Sequence, residues 1–288
     1  MKLMTGMDGK TCIVTGSNSG IGKETAFALA DLGASVVMVV RNLERGKIAR
    51  EDIRKQLKES QIELMQCDIA SRLSIEKFSS EFKSKFDSLH VLVNNAGAVF
   101  SRRQVTEDKI ERTLAVDYLG PIILTRELLP LLKSSSPSRV VNVCSGLYKS
   151  GQVVLDDLQS EQKYNSQMAY RNAKLLLLMH TYALARRLEG SGVTVNAVLP
   201  GFVATNLGKN SGSRMQALMF RMMKPFQLSP REGAETSVFV ASSHEVDGLT
   251  GKCFSKKQVA ITTSISNDEN LQEVLWNRTM EILGISEY

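Results

Sequence analysis

Short apolar runs rich in β-branched residues alternate along this chain with longer segments of helical period, and this alternation constrains the fold more than any other feature. The runs are KTCIVTG (10–16), SVVMVV (35–40), IELMQC (62–67), HVLVNN (90–95), RVVNVC (139–144) and VTVNAV (193–198). Helical periods fall around 21–32, 43–59, 72–86, 106–133 and 166–189. A strand that reaches the next strand through a helix pairs with it in parallel, and strands without a polar face are covered on both sides. The expected fold is a single α/β domain over 1–288, doubly wound, with a mostly parallel central sheet of about seven strands flanked by helices on both faces. SSSPS (134–138) reads as a linker loop, and a last helix is expected near 268–284.

The segment 208–231, GKNSGSRMQALMFRMMKPFQLSPR, breaks the rhythm. Its Met215, Met219, Met222 and Met223, with Leu218, Phe220 and Phe226, suit either an adaptable cover over an apolar ligand or an ordinary helix packed on the core. A substrate lid is expected at about 206–228. Its Met/Phe face, flanked by Lys209, Arg214, Arg221 and Lys224, also suits weak peripheral contact with a membrane.

Composition excludes several classes. With 43% apolar and 23% charged residues, 288 residues can bury a full core. No window approaches the roughly 18 consecutive apolar residues of a spanning helix, and MKLMTGMDGK at the start has no signal-peptide core, so a cytoplasmic protein is expected. Four scattered cysteines and three histidines without ligand spacing give neither a disulfide framework nor a metal site. The net charge of +6 is spread over mixed-sign segments without interleaved aromatics, which argues against nucleic acid.

The chemistry gathers at strand ends. TGSNSGIG (15–22) lies where the first strand passes into the first helix. Gly16 suits a tight turn, Gly20 lets backbone approach a pyrophosphate, and Gly22 allows close packing of helix on sheet. The second strand ends VVMVVRN. Val40 stands where an NAD site usually has an acid, and Arg41 follows with a guanidinium suited to a 2′-phosphate, so NADP(H) is expected in preference to NAD(H). NNAG (94–97) ends the fourth strand with small residues that leave room for a flat cofactor.

Tyr170 and Lys174 stand four residues apart in a helical period and so share one face. An ammonium beside a phenol favours phenolate, which makes tyrosine usable as a base and its conjugate acid usable as a donor. Ser145 ends the fifth strand, where its hydroxyl can hold a substrate oxygen. Ser145, Tyr170 and a nicotinamide together would reduce a carbonyl, or oxidise an alcohol in reverse.

In this order TGSNSGIG, NNAG, Ser145, YRNAK and PGFVAT (200–205) resemble the short-chain dehydrogenase/reductase family over nearly the whole chain. GIGKETA, DLQSE, RLEGSGVTVNAVLPG, REGAETS and LTGKCF are similar to its retinol dehydrogenase group. The resemblance implies a Rossmann-like fold and a lipophilic alcohol, aldehyde or ketone as substrate. Tyr170 would be the acid/base, Lys174 its activator and ribose ligand, and Ser145 the carbonyl orienter. Gly16, Ser17, Asn18, Ser19, Ile21 and Gly22 would hold the phosphates and Arg41 the 2′-phosphate, with Asn42 also among the cofactor-binding residues. Asp68 with Ile69 would meet the adenine, unless Asp68 serves a helix N-terminus. Asn94, Asn95, Ala96 and Gly97 would flank the ribose, and Pro200, Gly201, Val203 and Thr205 the nicotinamide.

The resemblance also implies a homodimer or homotetramer built on the helices at 106–133 and 166–189. Two departures stand out. The group's apolar N-terminal anchor has no counterpart before the first strand. Asp117 in VDYLG replaces the asparagine that positions a relay water to the lysine. An aspartate can hold that water, or, ionised beside Lys174, oppose the Tyr170 phenolate and change the pH profile. That substitution keeps a second reading open, a catalytically weak NADP(H)-binding sensor or scaffold.

Overall fold

The computed structural model describes residues 6–203 and 227–285. Its strands are β1 (Thr11–Thr15), β2 (Ser35–Val40), β3 (Ile62–Gln66), β4 (Val91–Asn94), β5 (Ser138–Val143), β6 (Val193–Leu199), β7 (Cys253–Ser255) and β8 (Gln258–Val259). They form one sheet in the order β3-β2-β1-β4-β5-β6-β7-β8, parallel except for the β7–β8 hairpin. The helices are α1 (Gly20–Asp31), α2 (Leu43–Gln56), α3 (Arg72–Lys85), α4 (Arg112–Leu114), α5 (Gly120–Ser134), α6 (Ser166–Arg187), α7 (Pro230–Ser242), α8 (Ser264–Asn267) and α9 (Glu269–Leu283).

Successive strand residues point to opposite faces, and both faces are dry. Ile13, Val37, Leu92, Val140 and Val195 join one core layer with α3, α5, α6 and α9. Cys12, Val14, Val36, Met38, Val93 and Val141 join the other with α1, α2 and α7. Double burial is why these runs read as continuously apolar. All four cysteines are buried free thiols. No described helix is long and apolar enough to cross a membrane.

The helical period read from 106 begins at Arg112. Val105 bridges to Glu111 and closes a turn ahead of the helix. The buried Glu111 carboxylate then accepts hydrogen bonds from the Thr113 and Leu114 amides at 2.9 and 2.8 Å, which caps α4. From α4 the chain runs through a π-helical turn, Ala115–Leu119, directly into α5. A Cβ on Gly120 would lie 2.2 Å from the Ile69 carbonyl oxygen, so only glycine lets this helix approach the end of β3.

Helix α9 lies across α6 and the π turn. The Tyr118 and Thr279 hydroxyls meet at 2.6 Å, and the His180 ring stacks on Trp276 with centroids 4.7 Å apart. Arg187 covers the same indole at 3.9 Å and pairs with Glu273. Packed between this cover and the sheet, α6 is buried without a break from Ala173 to Ala185. Thr205 and the greater part of the expected lid, with its Met/Phe face, lie outside the described residues.

Candidate active site

The neighbours of β1 in the sheet are β2 and β4, whose connections leave on opposite sides, so a crevice opens beyond the carboxyl ends of β1 and β4. The glycine turn stands at its floor. Gly16 and Gly20 have φ of +66° and +59°, a left-handed geometry that glycine adopts without strain. A Cβ on Gly22 would meet Asn95 Nδ2 at 2.3 Å and the Gly16 carbonyl oxygen at 2.6 Å. Ser19 precedes α1 without a side-chain cap, and the first turn holds no acidic residue. The Ser17 hydroxyl is fully buried with no hydrogen-bond partner among the described residues. Uncapped amides at the positive end of a helix, beside a turn with no room for a Cβ at Gly16 or Gly22, fit a pyrophosphate.

Asn95 and Ala96 line this turn, and Thr15, absent from the residues singled out in the sequence, holds them there. Its hydroxyl accepts from the Asn95 and Ala96 amides at 2.9 Å each, and Asn95 Nδ2 returns a bond to the Thr15 carbonyl at 2.7 Å. A hydroxyl one residue before the first glycine was the available signal. Asn94 points inward: its amide donates to Thr125 at 3.0 Å and to Asn142 at 2.8 Å, so its side chain ties β4 to β5.

Arg41 follows β2 with an exposed side chain, and its carbonyl accepts from Gln66 Nε2 at 3.0 Å. Asn42 caps α2, accepting from the Arg45 amide at 2.9 Å. Asp68 lies beyond β3. Its carboxylate accepts from the Ala70 amide at 3.0 Å, while the cap of α3 is Ser71. Ile69 is buried beside it. Across the crevice, Pro200 and Gly201 follow β6, and Val203 bridges to Leu228.

Tyr170 and Lys174 sit on the buried face of α6, one turn apart, with the ammonium 5.7 Å from the phenol ring centre. Ser145 lies just past β5, where its hydroxyl accepts from the Leu147 amide at 3.3 Å and acts to lower the Tyr170 phenol. Burial pushes the phenol above its ordinary pKa; Lys174 opposes the shift and Asp117 adds to it. Lys174 Nζ donates to the Val143 carbonyl at 3.1 Å and stands 3.1 Å from Asp117 Oδ1. The other Asp117 oxygen accepts from the Ala98 amide at 3.1 Å. The π turn aims this carboxylate at α6, and a Cβ on Gly97 would come within 2.8 Å of it. Neither the Val143 carbonyl nor the Ala98 amide has a side-chain signature in the sequence.

A doubly wound sheet with an anion-binding turn at one end of its crevice and a serine–tyrosine–lysine cluster at the other defines a class of nucleotide-dependent enzymes. The family model described as short chain dehydrogenase matches residues 10–216, and the chain belongs to that family. Its relatives there include human retinol dehydrogenase 12, 39% identical over 97% of this chain and 88% of the relative. Mouse retinol dehydrogenase 14 is likewise 39% identical, over 97% of this chain and 87% of its own. Among solved structures, an uncharacterised protein from Mycobacterium paratuberculosis superposes with a TM-score of 0.79 at 27% identity, covering 97% of this chain and 95% of its own. A protein assigned as an NAD(P)-dependent gluconate 5-dehydrogenase from Beutenbergia cavernae, holding NADP, gives 0.69 at 25% identity over 86% and 95%. The family binds nicotinamide cofactors, and its retinol dehydrogenase members support oxidoreduction between alcohols and carbonyls.

Proposed function

We propose that this protein is an NADP(H)-dependent oxidoreductase that interconverts a lipophilic alcohol and its aldehyde or ketone, with Tyr170 as acid/base. The observation that carries the reading is the buried Tyr170, flanked by Ser145 and Lys174 at the end of the crevice that the glycine turn opens. NADP(H) supplies or accepts the hydride at the carbonyl carbon when bound.

The chain's own residues do the rest. Ser145 and the Tyr170 hydroxyl converge on the carbonyl oxygen and orient it. As that oxygen gains negative charge, the phenol donates its proton; in oxidation the phenolate removes the proton from the alcohol. Lys174, held to the Val143 carbonyl, keeps an ammonium beside the phenol and a donor for the ribose. The α1 amides, Ser17 and the Gly16–Gly22 turn would hold the pyrophosphate. Arg41, one residue past the Val40 where an acid would favour NAD, would pair with the 2′-phosphate. Asn95, Ala96 and Gly97 would flank the ribose, Asp68 and Ile69 the adenine, and Pro200 to Val203 the nicotinamide.

Apolar side chains at the carboxyl end of the sheet support a lipophilic substrate. Leu147, two residues past Ser145, and the neighbouring Phe202 and Leu228 beyond β6 leave large surfaces exposed. The test is NADPH oxidation with all-trans-retinal and a panel of aliphatic and aromatic aldehydes, with NADH in parallel and Tyr170→Phe as control. Turnover lost in the variant is expected. Cofactor binding without turnover in the wild type would overturn the reading in favour of a sensor.

A further inference from the structure

The lysine of this site does not stand alone. Asp117 is fully buried, Lys174 nearly so, and Nζ and Oδ1 lie 3.1 Å apart. An ammonium and an ionised carboxylate in this contact have zero net charge. Tyr170 therefore faces a neutral pair. An unopposed cation at this range would lower a phenol by about one to three pH units. A carboxylate touching that cation cancels most of its field at the phenol.

We infer that Asp117 is a positioning residue that neutralises Lys174, keeps Tyr170 protonated through the neutral and mildly alkaline range, and so biases this site toward proton donation, the carbonyl-reducing direction. The inference rests on the oxidoreductase reading above and gives it a direction. It stands on geometry: three elements converge on one carboxylate. The π turn supplies it, α6 brings the ammonium, and the Gly97–Ala98 segment approaches closely enough for the Ala98 amide to bind its second oxygen.

The other groups packed around Tyr170 do not restore a positive field. Cys144, at the end of β5, is a buried thiol pushed up to about 12 and therefore uncharged. Ser145 is neutral. Glu111, at the start of α4, adds negative potential at Asp117. Burial drives Asp117 upward against the pull of Lys174. For Lys174 burial acts downward, and the Asp117 carboxylate leads the opposing influences, which prevail. Burial thus favours the acid form of Asp117 while contact with Lys174 favours its carboxylate, and the pair is neutral where the contact prevails.

The test compares wild type with Asp117→Asn, an isosteric change that keeps an oxygen for the Ala98 amide. The pH dependence of kcat/KM is measured for alcohol oxidation and for carbonyl reduction. The acid limb of oxidation is expected to move down by about one pH unit or more in the variant. The alkaline fall of reduction should move down with it. A readout independent of turnover is the ultraviolet phenolate titration of each protein minus its Tyr170→Phe counterpart, which isolates Tyr170. That midpoint should fall in Asp117→Asn.

Superimposable limbs and midpoints overturn the inference while leaving the oxidoreductase reading intact. A shifted midpoint in a protein that turns over no substrate supports the neutral pair and removes the oxidoreductase reading. Should Asp117→Asn be too unstable to titrate, the wild type alone decides. A Tyr170 midpoint well below the ordinary phenol value of about 10 overturns the inference, and one above it supports the inference.

Discussion

The two ends of the proposed cofactor crevice are built by opposite means. At the adenosine end the backbone dominates. Left-handed glycines and uncapped α1 amides form the turn, and the one cation assigned a role there, Arg41, is exposed. At the reaction end side chains dominate, and Tyr170, Lys174 and Asp117 are all buried. The difference lies in dielectric. Charges in the dry end act strongly on one another over several ångströms, whereas an exposed guanidinium is screened by water and salt. Chemistry should therefore concentrate its sensitivity in the buried cluster, and affinity should be spread over many small contacts in the open turn.

The largest expected effect tests the first half of that contrast. Tyr170→Phe removes one hydroxyl from the dry end, and carbonyl reduction should fall by about 100- to 10,000-fold, the usual contribution of a positioned general acid. Cofactor titration by fluorescence should change little. A variant that kept its rate and lost its cofactor would reverse the assignment of the two ends.

Gly22→Ala attacks the other end through geometry. Its Cβ would collide with Asn95 Nδ2 and with the Gly16 carbonyl, and neither the backbone atom nor the doubly tied Asn95 can yield freely. Forcing a methyl into such packing costs about 1–3 kcal/mol. Thermal unfolding should show the loss directly. Cofactor binding should weaken with it, because the turn that would cradle the phosphates must open.

The same contrast explains what the sequence disclosed. Five strands were legible because both faces of each are largely buried, leaving nearly continuous apolar runs, and the edge strand β3 was legible although Glu63 and Gln66 face solvent. β7 and β8, three and two residues long, carry no readable period. Tyr170 and Lys174 were legible because both positions fall within one helix at a fixed spacing. The start of α4 was not: Glu111 ends the preceding turn by capping two amides, a tertiary arrangement that helical periodicity at 106–111 does not reveal. The nearness of Asp117 to Lys174 followed from the family resemblance and not from the residues' own pattern. It depends on a π turn and on Gly97 allowing close approach, and in sequence the two charges are simply far apart.

Arg41→Ala gives a smaller effect and tests the cofactor choice. A charge-assisted phosphate contact contributes about 1.5 kcal/mol or more, so NADPH should bind roughly tenfold more weakly. NADH, which lacks the 2′-phosphate, should be nearly unaffected. Raising the salt should narrow the wild-type preference, because an exposed cation is screened. Equal losses for both cofactors would show that Arg41 shapes the β2 end instead of reading the phosphate.

Asn42 gives the smallest effect and separates the cofactor role expected from the sequence from the helix cap seen in the structure. Its side chain caps α2 through the Arg45 amide, which leaves its carbonyl oxygen committed to the protein. Losing the cap in Asn42→Ala should destabilise the fold by about 1 kcal/mol, with a change in NADPH affinity smaller than that of Arg41→Ala. Asn42→Ser restores a capping oxygen and should recover the stability. Asn42→Asp also preserves the cap, yet it puts an anion next to Arg41 and should lower NADPH affinity without lowering the unfolding temperature. If serine instead restored stability but left NADPH binding far below wild type, the asparagine amide itself would be reading the cofactor, and the open end of the crevice would owe more to side chains than its exposed geometry indicates.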